Sequence, residues 1–252
     1  MTQSSTTKAP RGLRIGASET KAQLANANPA LNADILLSLY DAALSSGRED
    51  CKLTVAQAAS AGIAQMTLAD HYIPAVAKVL GDHWCSDVLG FASVTIGVAR
   101  LQALLRELGP EWSADSTAPA NAPGVLLITP RHAAHTLGAA VIAGQLRRNG
   151  YSVRMAFDAD RQSVASLMDR IAFDAIFISA ARSESLDKLR RLIEFVRTLT
   201  FHRLPIAIGG SVLETSADVA ALTGADIMTS NIDEAITFCG LKEQPSQNTA
   251  RT

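Results

Sequence analysis

The chain has 252 residues, 48% of them apolar and 19% charged, with a formal net charge of −1 at pH 7. That balance allows a real core and excludes a charge field able to draw in nucleic acid or an anionic membrane unaided. No run of about 18 uncharged apolar residues is present, the polar start MTQSSTTKAPRGLR lacks the apolar stretch of a secretory signal, and Cys51, Cys85 and Cys239 are too scattered for a disulfide framework or a zinc cluster. A cytoplasmic protein without a membrane contact is expected.

Residues 1–30 are rich in Ser, Thr, Ala and Asn without an apolar period and read as a disordered tail. Over 31–109, segments 33–47, 54–80 and 88–108 carry Leu, Ile, Val and Ala at helical spacing, which predicts a small helical bundle. Thr54 and Asp87 are the expected caps of the second and third helices, and Gly109-Pro110 ends the third. A Pro, Ala and Ser linker over 110–123 separates this cap from the second half. From 124 to 241 short apolar runs (124–128, 152–157, 174–179, 205–210, 226–230) alternate with helical segments (135–149, 161–171, 184–199, 214–222, 232–239). Five such β–α units predict a doubly wound parallel sheet, so the fold class is α plus α/β. Residues 242–252 read as a second polar tail.

In a doubly wound sheet, ligands bind beyond the carboxyl ends of the strands. Three loops leaving that edge stand out: TPRHAAHTLG after the first strand, SAARS after the third and GGSVLETS after the fourth. No GxGxxG follows the first strand and no Walker lysine is present, which sets aside dinucleotide and ATP sites. Each loop also has a plain reading: Gly209-Gly210 as a tight turn, Ser179 as a helix cap, and His132 or His135 as a hydrogen-bonded loop residue. A neutral imidazole at a strand end is equally a good ligand for cobalt. The residues alone leave His132 and His135 both open.

His135-Thr136-Leu137-Gly138 resembles the H-x-x-G of the cobalamin-binding motif D-x-H-x-x-G, in its usual place between first strand and first helix. Ser179 stands where that family has the serine of its S-x-L motif, and Gly209-Gly210 where it has a glycine pair. The segment VLGDHWCSDVLGFASVTIGVARLQALLREL resembles the helical cap of light-sensing cobalamin regulators, with Trp84 in place of the Trp that covers the upper corrin face. The resemblance implies a flavodoxin-like cobalamin-binding fold. It makes His135 the lower axial metal ligand and Gly138, Ser179, Gly209, Gly210 and Trp84 further cofactor contacts. Ser179 would donate to the buried tail base, and the small residues would leave it room.

Two departures from that pattern are visible. Ala133 replaces the family's aspartate, the carboxylate that orients the ligand histidine. Val94-Thr95 replaces a Glu-His pair of the light sensors, and Cys85 stands where they have a histidine directly after the Trp, with His83 before it instead. A cap and a cobalamin core without a DNA-reading or catalytic module are similar to the AerR/PpaA antirepressor group. That similarity implies a light- or redox-responsive regulator carrying hydroxo- or adenosylcobalamin. Its partner would be a CrtJ/PpsR-type repressor of photosystem genes, with no direct DNA binding and no catalytic residues. Other readings stay open: a corrinoid carrier for a methyltransferase, a haem-binding sensor of the same fold, and a doubly wound domain without a cofactor.

Overall fold

The computed structural model describes residues 16–47, 49–109, 121–130, 136–201, 203–215 and 218–241. They fall into two compact units, within Met1–Leu108 and Gly109–Thr252.

The first unit is helical. Helix α1 (Ala17–Ala27) lies inside the segment expected to be a disordered tail; it buries Thr20 and Leu24, a pair too sparse to show as an apolar period. Helix α2 (Ala33–Leu44) starts where the Asn32 side chain accepts the amides of Asp34 and Ile35, satisfying two groups without an intrahelical partner. It buries Ile35, Leu36, Leu39 and Tyr40 along one stripe. The single helix expected over 54–80 is two. Helix α3 (Glu49–Ser60) ends at Gly62, whose φ of +76° suits glycine, while the Ile63 amide closes back on Ala58 O at 2.9 Å. Thr54 therefore lies inside a helix, donating to Asp50 O at 3.0 Å, rather than capping one.

The chain resumes as α4 (Gln65–Thr67), a π turn over Leu68–Tyr72, and α5 (Ile73–Cys85), whose Pro74 sits in the first turn where no amide is needed. Helix α6 (Phe91–Leu108) begins four residues after Asp87. Asp87 has a φ of +58° and belongs to the turn, so it is not the expected cap.

The second unit is a five-stranded, all-parallel sheet in the order β2-β1-β3-β4-β5. Its strands are β1 (Gly124–Pro130), β2 (Ser152–Ala159), β3 (Ala175–Ser179), β4 (Ile206–Gly209) and β5 (Ile227–Met228). The helices are α7 (Thr136–Arg148), α8 (Arg161–Arg170), α9 (Leu186–Thr200), α10 (Val219–Thr223) and α11 (Ile232–Phe238). The helix expected over 214–222 is a 3₁₀ turn, Ser211–Glu214, followed by the short α10.

Alternation along the strands divides the core. Leu126, Ile128, Ile176, Ile178, Ile206 and Ile208 face α8, α9 and α10, where they meet Val164, Leu189, Ile193, Val196 and Val219. Val125, Leu127, Phe177 and Ala207 face α7 and α11, packing on Ala139, Ala143, Leu146 and Ile236. Each large aliphatic side chain so buried contributes roughly 1.5–3 kcal/mol, which is why the central strands read as unbroken apolar runs. The outcome is a Rossmann-like sheet with helices on both sides, as the alternation implied.

Candidate functional site at the carboxyl edge of the sheet

The strand order 2-1-3-4-5 puts the reversal of chain direction between β1 and β3, where the helices leave to opposite faces and a crevice opens. Two of the expected residues flank it. Ser179 is the last residue of β3, and Gly138 lies on the first turn of α7, which follows the histidine loop. The loop itself, with Arg131, His132, Ala133 and His135, lies outside the described residues, as does His202.

Ser179 is buried, at 8% exposure, at the carboxyl end of β3. Gly138 is exposed, and a Cβ built there would have no atom within 4 Å. Glycine inside a helix costs roughly 0.5–1 kcal/mol relative to alanine, and no described residue crowds this position. The open position on the first turn of α7 leaves room for a ligand at this edge of the sheet.

Gly209 and Gly210 behave differently. A Cβ on Gly209 would lie 2.7 Å from Thr229 O, and one on Gly210, at a φ of +99°, would lie 2.4 Å from Ala180 O. The room beside them is taken by the chain's own backbone, a tight interlock where open space for a ligand was expected. Ala180 N donates to Gly209 O at 2.9 Å, Val212 N donates to Ala180 O at 3.2 Å, and Arg182 N donates to Ser211 Oγ at 3.0 Å. The Arg182 guanidinium pairs with Glu214. These contacts tie the loop after β3 to the turn after β4, and so fix the backbone that presents Ser179. This Arg182, Ser211 and Glu214 strap had no separate signature in the sequence, because its members lie 29 to 32 residues apart.

Trp84, the remaining expected contact, closes α5 in the helical unit and is 43% exposed, with its ring 6.0 Å from that of Phe91. The Cys85 side chain beside it is exposed, whereas the His83 ring turns into the interior of the bundle.

A model of the B12 binding domain family matches residues 123–236. The chain is 40% identical over 169 residues to a Rhodobacter capsulatus protein described as an uncharacterized 20.5 kDa protein in the bchF-crtJ intergenic region; the match spans 67% of this chain and 88% of that one. Among solved structures, a Methanosarcina barkeri monomethylamine corrinoid protein superimposes with a TM-score of 0.62 at 17% identity, over 82% of this chain and 98% of that chain. At that identity the likeness concerns the fold.

Proposed function

The chain belongs to the AerR-like family of proteins with a B12-binding domain, and from that premise we propose a cytoplasmic cobalamin-binding regulator that acts as an antirepressor on a CrtJ/PpsR-type repressor of photosystem genes. The observation that carries this reading is the 40% identity to a protein described by its place beside crtJ, extending over most of that protein's length.

In this reading His135 would hold the cobalt. Ser179 would donate to the cofactor's tail, and Gly138 would leave room for it beside the first turn of α7. Gly209 and Gly210 act one step removed, by permitting the interlock that holds Ser179 in place. Trp84, whose indole is exposed on the helical unit, is the residue that the resemblance assigns to the corrin. When bound, cobalamin would supply a cobalt centre responsive to light or redox state. The protein's part is to bind one such form better than another and so to bias a conformational equilibrium seen by the repressor. No residue is assigned a catalytic role, and the partner, not this chain, contacts DNA.

The test is a fluorescence-anisotropy titration of a repressor–operator complex with the purified protein, alone and loaded with hydroxocobalamin. Release of the operator that depends on the loaded form supports the reading. Retention of the operator at saturating loaded protein contradicts it. A corrinoid carrier would instead accept a methyl group from a partner methyltransferase, which the loss of the aspartate at Ala133 disfavours. A haem sensor would show a Soret band in place of a corrin spectrum.

A further inference from the structure

His83 is one of the few polar side chains buried in the helical unit, at 2% exposure, and both ring nitrogens are engaged. Nε2 lies 2.5 Å from Gln23 Oε1 on α1, and Nδ1 lies 2.7 Å from the Tyr40 hydroxyl on α2. With a carbonyl oxygen facing it, Nε2 carries the proton and donates, and Nδ1 accepts from Tyr40. The two rings also meet edge to face, at 5.5 Å and 84°. The ring of His83 thus bolts α5 to two other helices at one point.

The backbone of the same residue organises the turn into the next helix. His83 O accepts the amides of Val88 at 2.8 Å and Leu89 at 3.0 Å, so the chain leaving α5 for α6 wraps onto this carbonyl. Trp84 is the next residue, and Phe91, its aromatic neighbour, is the first of α6. Trp84 and Phe91 are 43% and 68% exposed, so packing alone holds neither ring. The nearest fixed point is His83.

We propose that His83 is a positioning residue for Trp84: tied to α1 through Gln23 and to α2 through Tyr40, it sets the last turn of α5 and the pose in which the indole meets a flat ligand face. The inference rests on the cobalamin reading for the identity of that face. It also explains why a histidine here precedes the Trp without acting as a ligand, since both its nitrogens are spent on the bundle.

The experiment uses the full chain with Trp112→Phe, which leaves Trp84 as the single indole. Emission of Trp84 and affinity for hydroxocobalamin are compared in Tyr40→Phe, His83→Asn and a Leu36→Ala control, which removes apolar contact but no bond of this network. Helix content is followed by circular dichroism. The expected result is a shifted Trp84 emission and an affinity about three- to tenfold weaker in Tyr40→Phe, the size that one lost hydrogen bond allows. The Leu36→Ala control should change stability and leave Trp84 emission as it was. His83→Asn loses the Gln23 bond and the ring contact with Tyr40, and should shift emission and affinity at least as far as Tyr40→Phe. Unchanged emission, or unchanged affinity, in a folded Tyr40→Phe protein overturns the proposal. So does an emission shift of equal size in Leu36→Ala. If Tyr40→Phe does not fold, Gln23→Ala at the half-buried end of the network is read by the same criteria. Failure of the unsubstituted chain to retain corrin refutes the cobalamin reading separately, and the emission comparison still decides whether His83 holds Trp84.

Discussion

Substituting Gly210 and Gly138 by alanine should have opposite effects on the sheet unit. Gly210 has a φ of +99°, a region that costs an L residue about 1–3 kcal/mol. The new Cβ would also stand 2.4 Å from Ala180 O and 3.1 Å from Ala180 N, both backbone atoms of the neighbouring loop. Relieving that overlap displaces the loop and weakens the bonds from Val212 N to Ala180 O and from Ala180 N to Gly209 O, each worth about 1 kcal/mol. The expected loss is about 2–5 kcal/mol, a large part of a typical stability of roughly 5–15 kcal/mol. With a urea slope of about 2 kcal/mol/M, the midpoint falls by about 1–2.5 M. Gly138→Ala adds a methyl to open space and removes a helix glycine, so its midpoint should rise by a few tenths of a molar. In the same variant hydroxocobalamin affinity should drop at least about tenfold, because the methyl fills the tail's path. Urea unfolding by circular dichroism, with hydrogen exchange at β3 and β4 to separate the two units, makes the measurement. A Gly210→Ala midpoint within about 0.3 M of wild type, on that same slope, would refute the reasoning. So would a Gly138→Ala protein that is less stable yet binds corrin normally.

Asp226 accepts the Ile206 amide at 2.7 Å and the Arg197 guanidinium at 2.5 Å, joining the start of β4 to α9. Asp226→Asn should cost about 1–3 kcal/mol in urea unfolding, with faster amide exchange at Ile206. His83 offers a pH dependence. Burial pushes its imidazole below the usual histidine range, against the opposing pull of Asp82 and Glu19. The unfolded chain therefore takes up the proton first. The stability of the helical unit is full above about pH 6.5, the ordinary histidine value, and is lost as pH falls from there through the depressed folded value. Replacing His83 with Asn should remove that part of the acid dependence, which thermal unfolding of both proteins between pH 5 and 8 would show.

Much of the sheet unit could be read directly because its signal is local. Runs such as GVLLI and AIFIS have nowhere to go but a strand buried on both faces. Asn149-Gly150 and Gly109-Pro110 end helices within a residue or two of where they appear. The helical unit was harder. Helix α1 buries only two side chains, and the break at Gly62 falls in the weakly patterned AASAGIA, where alanine spacing mimics one long helix. Motif register singled out Ser179 and Gly138, and they stand at a strand end and on a first helical turn, the places that the β–α alternation implied. The function of Gly209 and Gly210 in packing was not legible, since it depends on Ala180 and Thr229, neither distinguished by type. The burial of His83 was equally hidden, because its partners lie 43 and 60 residues away.

The most direct measurement is the absorption spectrum of the purified protein after incubation with hydroxocobalamin and gel filtration, beside His135→Ala and a haem-treated sample. The expected result is a retained corrin spectrum that His135→Ala abolishes or shifts, with the variant's fold intact by circular dichroism. A corrin spectrum identical in His135→Ala, or a Soret band from haem with no corrin retained, would contradict the assignment of His135 as the ligand of a bound cobalamin.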